Sequence, residues 1–241
     1  MSASTEKRAL ITGASSGIGK ATALAFAAAG IHVALVSRSL EKLEEVAQTA
    51  REAGVQAKSY VLDLAKIEQV KEKMSAIEAD FGPIDILVNN AGMGYTAPLR
   101  ETPLSDWQQA IDLNLTSVFQ CIQAILPTMR SRQQGTIINI SSIAGQQVFP
   151  NWGAYCVSKF GLMALSKTLA AEERANGIRV SAICPGSVNT PIWDTDTVKA
   201  DFDRSAMLTP EIVAQSILQV ALLPEKAAIE ELTLTASAGV L

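Results

Sequence analysis

The chain has 241 residues, 48% of them hydrophobic and 18% charged, with a formal net charge of −4. That composition supplies one substantial apolar core, so a single domain over 1–241 is expected, with no basic footprint for nucleic acid. Three widely spaced cysteines (Cys121, Cys156, Cys184) and a lone histidine (His32) offer neither a disulfide framework nor a metal site, and no apolar run approaches the ~18 residues of a membrane span. Residues 1–6 contain no apolar leader, so a cytoplasmic protein with no membrane partner is expected.

Taken in order, the apolar run Arg8–Thr12 predicts a first strand, ending in Thr12-Gly13-Ala14-Ser15-Ser16-Gly17-Ile18-Gly19. An alanine-rich helix is predicted over Lys20–Ala29, stopping at Gly30. Strand, glycine-rich turn and helix in succession point to dinucleotide binding. The glycines permit a tight turn, and backbone N–H groups can approach a pyrophosphate at the helix N-terminus. The turn lacks the Gly-Lys-Ser/Thr ending of an NTPase loop, which disfavours nucleotide triphosphate hydrolysis. His32–Ser37 predicts the second strand. Where a carboxylate would select NAD, the chain has Ser37 followed by Arg38. An Arg there suits a 2′-phosphate, so NADP(H) is preferred, with NAD(H) retained as an alternative.

A helix over Leu40–Ala53 and a third strand over Gln56–Leu62 follow. Asp63 and Leu64 stand at the carboxyl end of that strand, where Asp63 can bind an adenine amino group. A helix over Ile67–Phe81 leads to a fourth strand, Ile84–Val88, and then to Asn89-Asn90-Ala91-Gly92. There Asn side chains can hold an irregular turn and Gly92 admits close approach. Repeated β–α alternation predicts an α/β fold with a parallel sheet covered on both faces. One long helix is predicted over Ser105–Arg130, with Asn114 an anomaly in its middle. Beyond it come a fifth strand (Thr136–Ile140), a helix over Gly153–Glu173 and a sixth strand (Ile178–Ile183). That strand leads into Cys184-Pro185-Gly186-Ser187-Val188-Asn189-Thr190. Residues 191–209 read as a lid, followed by a helix over Pro210–Leu222 and a last strand over Glu231–Thr235.

Tyr155 and Lys159, four apart in the Gly153–Glu173 helix, fall on one face. A phenol beside an ammonium is an acid/base device, and the cation is expected to pull the phenol down from its ordinary pKa of about 10 toward neutrality.

These pieces together resemble the short-chain dehydrogenase/reductase family over essentially the whole chain. The residues that carry the resemblance are Thr12-Gly13-x-x-x-Gly17-x-Gly19, Asp63, Asn89-Asn90-Ala91-Gly92, Asn114, Ser142, Tyr155-x-x-x-Lys159 and Pro185-Gly186 with Thr190. The resemblance implies a Rossmann-type doubly wound sheet of about seven strands in the order 3-2-1-4-5-6-7, with the cofactor across the carboxyl ends. It implies Tyr155 as general acid/base and Lys159 on the nicotinamide ribose. Ser142 would hold the substrate oxygen, and Asn114 a water passing protons to Lys159. Thr190 would meet the carboxamide, and Asp63 with Ala91 the adenine side. Met93, Gly94, Tyr95, Gln147, Val148, Trp152, Pro185, Gly186 and Trp193 become pocket-side candidates, suited to a small-molecule carbonyl or alcohol substrate. Trp193 reads equally as an anchor for the lid.

Ser16 stands where many NADP-selecting members carry a second basic residue, leaving the choice of cofactor to Arg38 alone. Reduction of 3-oxoacyl groups on acyl carrier protein is an alternative within the family, disfavoured by the acidic lid (Asp194, Asp196, Asp201, Asp203). A non-catalytic dinucleotide-binding redox regulator is the alternative from another class. Spare apolar positions such as Phe119 and Leu162 suggest a homodimer or homotetramer.

Overall fold

The computed structural model describes residues 7–200, 203–237 and 239. Residues 1–6, expected to hold no leader, and Asp201 of the lid lie outside them. In chain order the regular elements are β1 (Arg8–Thr12), α1 (Gly17–Ala28), β2 (His32–Ser37), α2 (Leu40–Glu52), β3 (Ala57–Val61), α3 (Ile67–Phe81) and β4 (Ile86–Asn89). They continue with α4 (Leu104–Ile111), α5 (Ser117–Arg132), β5 (Gly135–Ile140), α6 (Gly153–Glu173), β6 (Ile178–Pro185), α7 (Pro210–Ala221) and β7 (Glu231–Leu234). The strands form one parallel sheet in the order β3-β2-β1-β4-β5-β6-β7, as the resemblance implied.

Alternation along each strand divides its side chains between two cores. Ala9 and Ile11 of β1, Val33 and Leu35 of β2, and Ile86 and Val88 of β4 pack on one face with α1, α2 and α7. Leu10, Ala34, Val36 and Leu87 point to the other face, against α3, α5 and α6. Leu162 of α6, expected as spare surface, is 1% exposed and belongs to this second core. The residues left outside are Phe119 on α5 with Val157 and Phe160 on α6.

The largest departure from expectation is the helix predicted over Ser105–Arg130. It is two helices joined by a π turn at Asp112–Thr116. Apolar spacing runs through the turn, which is why periodicity joined the halves; the fully buried Asn114 sits at its centre. The other boundary shifts are of one to three residues. The largest at strand ends are of two residues: β4 starts at Ile86 rather than Ile84, and β6 runs on to Pro185 because Pro185 registers with Leu234 of β7. Among the described residues no helix is long and apolar enough to cross a membrane.

Candidate active site

The carboxyl ends of the central strands open into one cleft of about 640 Å³. Its first wall is the turn between β1 and α1. Gly13 (φ +66°) and Gly17 (φ +51°) hold left-handed backbone there that disfavours a side chain. A methyl group on Gly13 would meet Asn90 Nδ2 at 2.8 Å, and one on Gly17 would meet the Thr190 side chain at 3.1 Å. Gly19 does not line the cleft. It is buried, and a Cβ there would strike the Gly13 carbonyl and approach Asn90 Nδ2 at 2.5 Å. Side chains fasten the turn to the end of β4. Thr12 Oγ1 accepts from the N–H groups of Asn90 (2.9 Å) and Ala91 (3.0 Å), while Asn90 Nδ2 donates to the carbonyls of Thr12 (2.9 Å) and Gly13 (3.3 Å).

Ser15, Ser16, Ile18, Ser37, Arg38, Asp63 and Leu64 line this end of the cleft, and Asn90, Ala91 and Gly92 continue it. Asp63 Oδ1 accepts from Ala65 N at 3.1 Å, which orients the carboxylate. Lys42 also lines this end, a residue the sequence reading missed. It lies in the first turn of α2, which starts at Leu40 behind the Ser39 cap and so brings Lys42 back beside Arg38 at the end of β2. Two cations, not Arg38 alone, therefore face this pocket. On the opposite side Pro185, Gly186, Val188 and Thr190 line the cleft.

At the centre Ser142, Tyr155 and Lys159 come together. Ser142 caps a short turn at Ile143–Gly145, its Oγ accepting from Ala144 N at 3.1 Å, and its hydroxyl hydrogen-bonds the Tyr155 side chain. The expected fall in the phenol's pKa does not occur. Burial pushes it up to about 12, outweighing the Ser142 hydrogen bond that pulls it down, with the Cys156 thiol adding to the rise. Lys159 Nζ lies over the Tyr155 ring, 5.7 Å from its centre, and donates to the Ile140 carbonyl at 2.9 Å, so the ammonium meets the ring rather than the hydroxyl. Spacing of four placed both on one face but said nothing of where the ammonium points.

Burial also lowers Lys159 itself, to about 8 from its ordinary 10.5, with the Cys184 thiol opposing slightly. The sign of the consequence is set by which state holds the proton. Between pH about 8 and 10.5 the unfolded chain keeps a proton on Lys159 that the native chain has lost, so this lysine's contribution to stability rises with pH through that window, opposed above pH about 9 by the buried Cys121 and Cys184 thiols, whose raised pKa values act with the other sign. Denaturant titrations at several pH values should show this rise in the wild type and lose it in Lys159→Met. Parallel curves for the two proteins would refute the assignment.

Asn114 is the keystone behind them. Its Oδ1 accepts from Met93 N at 2.8 Å, and its Nδ2 donates to the Met93 carbonyl and to Ser158 Oγ, both at 3.0 Å. The side chain thus ties the loop after β4 to α6, one residue from Lys159.

Beyond Tyr155 the cleft is walled by Met93, Trp152 and Trp193, joined by Phe149 and Ile192, which the sequence reading omitted. Gln147 and Val148 are exposed and lie outside the lining, because the chain turns outward between the Ile143–Gly145 turn and Phe149. Tyr95 is a packing residue, buried with its hydroxyl donating to Asp106 at 2.9 Å. Trp193 takes both roles foreseen for it. Its indole N–H donates to the Val188 carbonyl at 2.8 Å, anchoring the lid, and its ring lies edge-on to Trp152 at 5.9 Å. The lid is also bolted to the loop after β4. Thr96 N donates to the Thr197 carbonyl at 2.9 Å, Thr197 Oγ1 to the Gly94 carbonyl at 2.8 Å, and Lys199 N to Thr96 Oγ1 at 2.7 Å.

This geometry has known counterparts. The chain is 37% identical over 221 residues to the 3-oxoacyl-(acyl-carrier-protein) reductase FabG of Thermotoga maritima, covering 89% of this chain and 90% of that one. It is 33% identical over 238 residues to the sepiapterin reductase of Chlorobaculum tepidum, covering 95% and 96%. It also matches the glycine betaine reductase ATRR of Emericella nidulans at 36% identity, but spans only 18% of that longer protein. Among solved structures, an alcohol dehydrogenase of the archaeon Thermococcus sibiricus, complexed with 5-hydroxy-NADP, superposes with a TM-score of 0.88 at 30% identity, covering 97% of this chain and 98% of that one. The sequence profile of the short chain dehydrogenases matches residues 7–200, which include every cleft residue from the glycine turn to the first half of the lid. On the fold, the profile and these full-length likenesses together, the protein belongs to the short-chain dehydrogenase family of oxidoreductases.

Proposed function

We propose that the protein is an NADP(H)-dependent oxidoreductase that interconverts a small or medium carbonyl compound and its secondary alcohol, with Tyr155 as general acid/base. The observation that carries this reading is one cleft with two unlike ends. A glycine-walled turn with Arg38 and Lys42 lies at one end, and a Tyr155–Ser142 hydrogen bond above the buried Lys159 lies at the other.

The residues present fit a phosphorylated dinucleotide. The glycine turn is a cradle that Cβ atoms would fill, Asp63 offers an acceptor for an adenine amine, and the end of β2 carries no carboxylate to repel a 2′-phosphate. Solved neighbours with bound NADP or 5-hydroxy-NADP support the same choice. Arg38, Lys42, Ser16 and Ser37 would hold the 2′-phosphate side, Ser15, Ile18 and Gly92 the middle, and Pro185, Val188 and Thr190 the nicotinamide side. The bound dinucleotide would supply or accept the hydride. The rest falls to the chain. Ser142 would hold the substrate oxygen, Tyr155 would give it a proton in reduction or take one in oxidation, and Lys159 with Asn114 would keep the phenol's surroundings in place.

Each charge-assisted bond to a phosphate contributes about 1.5–3 kcal/mol, and about 1.4 kcal/mol is tenfold in affinity. Arg38→Ala and Lys42→Ala are therefore each expected to weaken NADPH binding by roughly tenfold or more, and to leave NADH binding nearly unchanged. Fluorescence titration with both dinucleotides checks this. A Lys42→Ala protein that binds both as the wild type does would return cofactor choice to Arg38.

The FabG relatives support a second reading, reduction of 3-oxoacyl thioesters on a carrier protein. It requires acyl carrier protein to bind and to bind less well as salt rises. Exposed Phe119, Val157 and Phe160 support a homo-oligomer, which sedimentation would test.

A further inference from the structure

We propose that the substrate end of the cleft selects carbonyl compounds bearing no charge near the reacting group, and that Trp152 and Trp193 form its specificity-determining wall for an aromatic or aliphatic substituent. This rests on the oxidoreductase reading above and names its substrate class.

Charge is distributed unevenly along the cleft. Arg38, Lys42 and Asp63 all line the dinucleotide end. Past Tyr155 the described lining residues carry no charge other than that of Lys159, and Lys159 is 5% exposed with its Nζ on the Ile140 carbonyl. The polar members there, Gln109, Thr195 and Thr197, are neutral. The described charged residues of the lid do not fill the gap. Arg204 is held by Asp194 (3.1 Å) and donates to the Thr190 carbonyl (3.3 Å), and neither it nor Lys199, Asp196 or Asp203 lines the cleft. A substrate carboxylate or ammonium would lose its hydration here and find no partner, which is the costliest form of burial.

What the wall does offer is aromatic surface. Trp152 meets the Tyr155 ring edge-on at 5.4 Å and Trp193 meets Trp152 edge-on at 5.9 Å, so the three rings form one continuous stack beginning at the phenol. Met93, Phe149 and Ile192 close the remaining sides. Both tryptophans are fixed, Trp152 at the start of α6 and Trp193 by its bond to the Val188 carbonyl, so the wall is formed before a ligand arrives. A flat substituent on the carbonyl carbon can lie against these rings while its oxygen reaches Ser142 and Tyr155. This chemistry disfavours hydroxy acids and keto acids as substrates.

The test uses two ketones of matched shape, para-methylacetophenone and para-acetylbenzoate, on the full-length protein. NADPH consumption gives kcat/KM for each, and quenching of tryptophan emission gives binding without turnover. The expected result is a kcat/KM on the order of 100-fold lower for the carboxylate, and saturable quenching by the neutral ketone alone. Trp193→Leu should raise KM for the methyl ketone more than it lowers kcat, and Ile192→Arg should narrow the gap by improving turnover of the carboxylate. Equal turnover and equal quenching overturn the inference, and so does preferred reduction of the carboxylate, while Tyr155-dependent activity in either case leaves the oxidoreductase reading standing. Selective quenching with no turnover of any carbonyl compound does the reverse: it supports the neutral pocket and overturns the oxidoreductase reading.

Discussion

Replacing Tyr155 by phenylalanine is expected to lower kcat by roughly 10³-fold, with NADPH affinity changed by less than about threefold. The ring would stay packed against Trp152, so folding should be nearly unaffected, and the Ser142 hydroxyl would still accept from Ala144 N. On the proposed function, only the group that would exchange a proton with the substrate oxygen is lost. The raised phenol adds a signature. With its pKa pushed up by burial, the phenol holds its proton through neutral pH and is poised as a donor. Reduction should therefore proceed evenly through the neutral range and decline only in strong alkali, whereas oxidation should accelerate as pH rises. Initial rates in both directions across a pH series check this. A phenylalanine variant retaining more than about a tenth of wild-type kcat would remove Tyr155 from the chemistry.

Asn114→Ala is expected to cost about 2–4 kcal/mol of folding stability, because it removes the partner of the half-buried N–H and carbonyl of Met93 and one bond of the fully buried Ser158. Urea unfolding would read this as a lower midpoint with an unchanged slope. Asn114→Asp should recover only part of the loss, since a carboxylate can accept from Met93 N but cannot donate to the Met93 carbonyl or Ser158. An alanine variant as stable as the wild type would mean that the loop after β4 is held by other contacts, chiefly the lid.

Elements bounded by strong signals were legible from the sequence. β1, β2, α3 and α6 begin and end where apolar runs and helical period placed them. The α4–α5 break was not, because Trp107, Ile111, Leu115 and Val118 keep a helical period across it; Asn114 was the only hint that the backbone departs from it. At the site, residue types and spacing identified the glycine turn, Ser142, Tyr155 and Lys159. They could not give directions. Whether Lys159 faced the phenol or the Ile140 carbonyl, and whether Gln147 faced the cleft or solvent, depended on contacts from β5 and on the turn that follows it. Lys42 was hidden for a different reason: it lies past the strand end, in the first turn of α2, and only the cap at Ser39 brings that turn back to the same pocket.

The π turn at Asp112–Thr116 holds one residue more than an α-helix would need for the same span. Deleting a single residue there would let α4 and α5 fuse into one regular helix, and so would improve local hydrogen bonding. Because the extra residue is absorbed within the turn, the deletion would leave α4 and α5 pointing as they do and would change only the turn that carries Asn114. Asn114 would then lose its place opposite Met93 and Ser158, the contacts that tie the loop after β4 to α6. In this segment the chain accepts a less regular helix as the condition for a correctly aimed side chain, so shortening it should leave helix content intact while disorganising the cleft.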